Sequence, residues 1–232
     1  MIKQTGKMEV LTELVGRLGV FEDRRHAGAI LARMLTSYCD SNAIVFGIPA
    51  GGVPVAAEIA HRLHLPLDVA IASKMLFPWT TEAGFGAIAF DGTQWINKEY
   101  RRYHGLTDAE ANASRKATLH KVAKRNRQLR GSSPFPDLAE RTVILVDDGI
   151  ASGATMRVAI AALRNHGAKY LIVAVPTGYQ QSIEPLLPQV DSLFCPNVRS
   201  GMSYAVADAY QHWSDVDDDE VISLLQQKAP GS

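Results

Sequence analysis

The chain has 232 residues and carries 24 Lys and Arg against 24 Asp and Glu, so its formal charge is zero. Apolar residues make up 47% and charged residues 21%, the balance of an ordinary globular protein of one domain. That composition excludes a disordered chain, a collagen-like repeat and a disulfide-dense miniprotein.

In chain order, helical periodicity over 9–19 and 25–39 precedes a short apolar strand, Ala43-Ile44-Val45-Phe46-Gly47. A helix is expected over 53–63 and a strand over 67–73. A long excursion, 75–140, follows. Its first half reads as a hairpin, because Asp91-Gly92 is a turn signal between Ala87-Ile88-Ala89-Phe90 and Gln94-Trp95-Ile96. Its second half is basic, with ten Lys and Arg against three Asp and Glu over 98–130. Thr107 and Glu110 fit a capping box, and Leu119, Val122 and Leu129 keep an apolar stripe at helical spacing. Tyr100 and Tyr103 are the only aromatics in this stretch, and the acidic run Asp215 to Glu220 balances part of its charge, so no nucleic-acid partner is expected. Gly131-Ser132-Ser133-Pro134 ends the helix in a loop. Then come a strand over 142–146, a helix over 154–166, a strand over 170–175, a helix over 180–187 and a strand over 190–194.

Continuous apolar strands such as Val143-Ile144-Leu145-Val146 imply burial on both faces. The expected fold class is therefore α/β, a mostly parallel sheet flanked by helices, with ligands at the carboxyl ends of the strands. Cys39 and Cys195 lie far apart and outside any CxxC pattern, which argues against a disulfide framework or a zinc cluster of cysteines. His104, His120 and His212 show no metal spacing. No window approaches the ~18 apolar residues of a membrane span. Met1 to Lys7 is followed by no apolar run of a signal peptide, so the expected location is the cytoplasm.

The strongest signal is Val143 to Thr155, VILVDDGIASGAT. It reads as a buried strand, two carboxylates at its end, a loop of small residues and a helix start. Backbone N–H groups at such a helix start can cradle a phosphate, helped by the helix dipole and by the Ser152 and Thr155 hydroxyls. Asp147 and Asp148, so near an anion site, call for sugar hydroxyls or Mg²⁺ as partners. A receiver domain also ends a strand in acidic residues, but near its own start and without a glycine- and serine-bearing phosphate loop. Walker A and dinucleotide GxGxxG patterns are absent.

This segment resembles the motif of the type I phosphoribosyltransferases that binds 5-phosphoribosyl 1-pyrophosphate (PRPP). Phe21-Glu22-Asp23-Arg24-Arg25-His26-Ala27-Gly28, the run from Phe46 to Ala56, and Gly84-Phe85-Gly86-Ala87-Ile88 extend the likeness to a bacterial and archaeal branch of unassigned base specificity. Some members of that branch are fused to a hydrolase-like domain that this sequence does not contain.

The resemblance implies the type I phosphoribosyltransferase fold over 1–232, with 75–140 as a lid-like excursion. The small hood would be built from about 195–232 and the N-terminal helices. It implies that Gly149, Ile150, Ala151, Ser152, Gly153, Ala154 and Thr155 hold the 5′-phosphate of PRPP. Asp147 and Asp148 would face the ribose hydroxyls, directly or through Mg²⁺-bound water. Ala50, Gly51 and Gly52 match the pyrophosphate loop, where the family often has a non-proline cis peptide, and Lys74 matches a basic residue on pyrophosphate. The implied reaction moves ribose 5-phosphate from PRPP to a nitrogen acceptor, a nucleobase by resemblance, with release of pyrophosphate. The Asn197–Trp213 stretch, with Arg199, Tyr204, Tyr210 and Trp213, and the N-terminal helices are the expected seats of base specificity. The resemblance is also compatible with a homodimer.

One departure matters. Pro49-Ala50-Gly51-Gly52 stands where close relatives often have Pro-Arg-Gly-Gly, so an arginine suited to pyrophosphate is missing. Arg115 or Lys116 of the basic stretch are candidates to replace it. A PRPP-binding regulatory module without catalysis is the alternative that this absence favours.

Overall fold

The computed structural model describes residues 6–201 and 203–226. A short strand β1 (Lys7–Glu9) is followed by turns, α1 (Arg24–Met34), β2 (Ile44–Gly47), α2 (Gly52–Leu63) and β3 (Leu67–Val69). A second group holds β4 (Ala72–Leu76), β5 (Gly84–Ala89), β6 (Gln94–Ile96), α3 (Lys98–Tyr103) and the long α4 (Asp108–Arg130). The alternation then resumes with β7 (Thr142–Val146), α5 (Ala154–Asn165), β8 (Tyr170–Ala174), β9 (Thr177–Tyr179), α6 (Gln180–Ile183), β10 (Ser192–Phe194), β11 (Asn197–Arg199) and α7 (Asp218–Gln226).

Six strands form one sheet in the order β1-β10-β8-β7-β2-β3, and every neighbouring pair is parallel. Its central strands obey the two-residue alternation of side chains. Val143 and Leu145 of β7, Ile44 and Phe46 of β2, and Leu171 and Val173 of β8 point to one face, where α5 and the β4–β5 hairpin cover them. Ile144, Val146, Val45 and Ile172 point to the other, beneath α1 and α2. The apolar runs are continuous because both faces are buried, as expected. Among the described residues no helix is long and apolar enough to cross a membrane.

The hairpin at Asp91-Gly92 forms, with Gly92 at φ +86° and β5 antiparallel to both β4 and β6. The capping box also forms. Glu110 N–H donates to Thr107 Oγ1, and Thr107 N–H donates to the Glu110 carboxylate. Helix α4 is bolted down rather than free. Thr118 and Ser114 hydroxyls donate to the carbonyls of Lys74 and Leu76. Arg125 pairs with Asp218 of α7, and Arg130 with Asp68 of β3.

The structure departs from the periodicity in three places. The expected helix over 9–19 is β1 followed by turns, with Gly16 and Gly19 at φ +75° and +58°, and its apolar Leu11 and Leu14 pack on the Phe21–Tyr210 cluster. The expected strand over 67–73 divides at Ala70-Ile71: β3 joins the parallel sheet, whereas β4 starts the antiparallel one. The helix expected over 180–187 is one α turn, continued as a 3₁₀ stretch (Glu184–Gln189) that contains Pro185 and Pro188. Proline lacks the N–H that an α-helix interior requires.

Helices α1 and α2 cross at Gly28. A Cβ there would lie 2.8 Å from both Glu58 Cβ and the Val55 carbonyl oxygen. The nearly buried Glu58 accepts from Arg25 Nε at 3.1 Å and Arg62 Nε at 2.6 Å, so it has little freedom to yield. Gly28→Ala should therefore cost about 1–3 kcal/mol through overpacking. A thermal melt lowered by several degrees is expected, and an unchanged melt would show that α1 can slide off the crossing.

Candidate functional site

Strand β7 ends by delivering Asp147 and Asp148 to the carboxyl edge of the sheet. Asp147 is half-buried, and loss of solvation pushes its carboxyl well above the ordinary 3.8; the adjacent charge of Asp148 pushes the same way, and Lys74 across the cleft opposes it. Asp147 Oδ1 also accepts from the Asp148 N–H at 2.9 Å. Burial raises Asp148 as well, against the Arg24 guanidinium, whose Nε donates to Asp148 Oδ2 at 3.0 Å. The pair thus holds more negative charge than its surroundings neutralise.

The loop after β2 passes directly behind these carboxylates. A Cβ on Gly51 would fall 1.9 Å from Asp148 Oδ2, and one on Gly52 would fall 2.8 Å from Asp147 Cα. Only glycine permits this approach. The Pro49–Ala50 peptide is cis and non-proline, as the resemblance implied. Ala50 packs toward the apolar cluster of Val53, Val69, Val122 and Val221.

After Asp148 the chain makes the loop from Gly149 to Gly153. Ile150 anchors it by pairing with β9: its N–H donates to the Thr177 carbonyl at 3.0 Å, and its carbonyl accepts from the Tyr179 N–H at 2.8 Å. Gly149 fits under Val206 and Thr177, and Gly153 turns into α5 at φ +72°. As N-cap, Gly153 offers no side chain to the first-turn amides of α5. Asp147, Asp148, Gly149, Ile150, Ala151, Ser152, Gly153 and Thr155 line one cleft of about 180 Å³. Lys74 of β4 and Val206 wall it, and Ala154 is buried at the head of α5. Ala50, Gly51 and Gly52 support the carboxylates from behind and are not in the lining.

A second hollow of about 270 Å³ adjoins the first and shares Lys74, Ala151 and Ser152 with it. Its far wall comes from the excursion: Glu82, Gly84, Trp95, Asn97 and Tyr100. Helix α4 contributes neither Arg115 nor Lys116 to either hollow.

Arg24 joins the site although its sequence context assigns it no role. Its side chain, 10% exposed, bonds Asp148, donates to the Ser214 carbonyl at 2.8 Å and stacks its guanidinium 3.9 Å from the Trp213 ring centroid. Arg24 Nε also lies 3.3 Å from where a Gly51 Cβ would sit, so this arginine reaches the Ala50-Gly51-Gly52 loop. The only clue was its place in a motif with no assigned chemistry. Other aromatics of 197–213 are structural here. Tyr210 OH donates to the Asp148 carbonyl at 2.6 Å, and Tyr204 OH to Thr177 Oγ1 at 3.3 Å; burial pushes both phenols up. Arg199 pairs with Asp208 and lies over the Tyr204 ring.

Comparison with known proteins gives a consistent picture. Over 208 residues the chain is 34% identical to a provisionally named phosphoribosyl transferase of Mycobacterium tuberculosis, equally in two strains. That match covers 90% of this chain and 47% of the relative, so the chain spans about half the length of the curated relatives it matches. The crystal structure of TT1426 from Thermus thermophilus superposes with a TM-score of 0.71 at 32% identity, covering 90% of this chain and 99% of that one. Residues 22–209 match the phosphoribosyl transferase domain model, a span that runs from just before Arg24, through the Asp147–Asp148 cleft, to the residue before Tyr210. The chain belongs to the phosphoribosyl transferase domain family.

Proposed function

We propose that this cleft binds PRPP and transfers its ribose 5-phosphate to a nitrogen acceptor, a nucleobase or related amine, releasing pyrophosphate. The observation that carries the reading is the meeting of two half-buried carboxylates, a lysine and an uncapped helix start around one small cleft. Amides and hydroxyls from Gly149 to Thr155 would hold the 5′-phosphate at the positive end of α5. Asp147 and Asp148 would accept from the ribose 2′- and 3′-hydroxyls. Lys74 would neutralise the departing pyrophosphate, and the Ala50-Gly51-Gly52 loop would hold Asp147 and Asp148 in place from behind.

The donor set also fits Mg²⁺. Paired carboxylates are hard oxygen ligands, and the raised Asp147 marks negative charge that a cation would relieve. When bound, Mg²⁺ supplies charge neutralisation to the pyrophosphate. The chain's own residues do the rest: the two loops fix C1 of the ribose in line with an acceptor, and the walls exclude water. The segment from Phe77 to Gly84, whose exposed Trp79 stacks on Phe77, would be the moving part of the lid, with α4 as its fixed support. The region around Val206, tied to Arg24 and Trp213, would form the hood.

A regulatory PRPP binder is the second reading, favoured by Ala50 in place of arginine. Both readings are tested by mixing the protein with PRPP, Mg²⁺ and a panel of purine and pyrimidine bases and following pyrophosphate. Base-dependent release is expected, reduced on the order of 10²-fold or more in Asp147→Asn/Asp148→Asn. Saturable PRPP binding without release would leave the regulatory reading, and no binding at all would overturn both. Lys74→Ala should weaken PRPP binding by about 1.5–3 kcal/mol, roughly ten- to a hundredfold by calorimetry; unchanged affinity would remove Lys74 from the pyrophosphate.

Asp147 has a further consequence for stability. Its folded-state pKa lies above the unfolded value of 3.8, so its contribution is fully present below pH 3.8 and is lost as pH rises through the folded value. Asp147→Asn keeps the carbonyl that accepts from the Asp148 N–H and removes that loss. The variant should melt higher than the wild type at neutral pH, with the gap narrowing as pH falls. A gap independent of pH would show that the carboxyl is ionised without penalty.

A further inference from the structure

A second group of chemistry-bearing side chains lies at the other end of α2. The helix starts at the carboxylate cleft and ends at His64, so the two regions are separated by about 18 Å along its twelve residues. There the loop after α1 brings Cys39 and Asp40 against His64. Asp40 Oδ2 accepts from Cys39 Sγ at 3.2 Å, and Asp40 Oδ1 lies 3.0 Å from His64 Nδ1. One ligand atom from each of the three residues lies within 4.8 Å of the other two. The backbone holds this arrangement. Asp40 N–H donates to the Leu63 carbonyl at 3.0 Å, and Asp40 and His64 sit at φ +52° and +55°.

We infer that Cys39, Asp40 and His64 form a binding site for a divalent transition metal of the zinc class. Thiolate, imidazole and carboxylate are the ligand types that zinc takes in fours, and solvent would complete the set at this exposed position. The sulfur ligand selects against Mg²⁺, so the site is chemically distinct from the cleft. Among the described residues Asp40 pairs with no lysine or arginine but only with the His64 ring, itself a metal-ligand group. The end of α2 adds the negative pole of the helix dipole. Binding exchanges one proton: the metal–sulfur bond forms, the Cys39 S–H bond breaks, and the proton goes to solvent, while His64 binds neutral through Nδ1. Because that proton is released, binding should tighten as pH rises.

The test is titration of the full chain with Co²⁺, which reports a sulfur ligand by a near-ultraviolet thiolate-to-cobalt charge-transfer band. One equivalent should produce that band, and Zn²⁺ should displace it. Any Co²⁺ taken by Asp147 and Asp148 produces no such band, and Cys195 is fully buried. Cys39→Ser should abolish the band. Asp40→Asn and His64→Asn should weaken binding at least about tenfold, since even loss of an outer partner costs that much. Asn tolerates the left-handed backbone at both positions, so these two variants should fold. Absence of the band at saturating Co²⁺ would overturn the site. A band of undiminished affinity in both Asn variants would also overturn it, by reducing it to one exposed thiol.

Discussion

The functional edge of this molecule rests on one close approach. The loop after β2 lies against the two carboxylates at the end of β7 with no space for a single methyl group at Gly51. Parallel pairing of β2 with β7 brings the two loops to the same edge, but pairing alone does not bring them into contact. Glycine at 51 and 52 does, and the contact places Asp148 where Arg24 reaches it from α1. Three segments distant in sequence are thereby fixed to each other within a few ångströms. The ion pair is largely shielded from water, so removing either partner would leave a buried charge alone.

Burial makes the same contact costly. Asp147 and Asp148 sit where low dielectric and mutual repulsion disfavour ionisation, and Arg24 compensates only one of them. An apolar replacement would relieve the fold. Destabilised carboxylates lining a cleft mark a candidate functional site.

Much of this was legible in the sequence because it depends on local rules. The buried strand, acidic pair and glycine loop of Val143 to Thr155 need only neighbouring residues to be understood, and the capping box at Thr107 and the turn at Asp91-Gly92 are similarly local. The helix read over 9–19 failed because Gly16 and Gly19 override a period that Leu11 and Leu14 imitate, and the one read over 180–187 because Pro185 and Pro188 interrupt it. Arg24 was invisible because its partners lie 124 and 190 residues away. Cys39, Asp40 and His64 were invisible for the same reason: no spacing rule joins residues that meet only when α1 and α2 pack. Even the basic stretch was only half readable. Its capping and periodicity set the helix, but the acidic partners Asp68 and Asp218 that pin it come from tertiary structure.

The strand order carries a consequence for synthesis. Strand β2 sits between β3 and β7, and β7 begins only at residue 142. During translation, one side of β2 therefore stays open while the excursion is being made. An apolar strand with unpaired backbone groups is a template for wrong partners, and parallel pairings close slowly because their loops are long. The hairpin turn and the capping box of α4 need only neighbouring residues and can form beforehand, although the Asp218 partner of α4 and the α5 cover of the hairpin come later. The excursion is then also a stretch of early structure that occupies the nascent chain while its central strand waits for a neighbour.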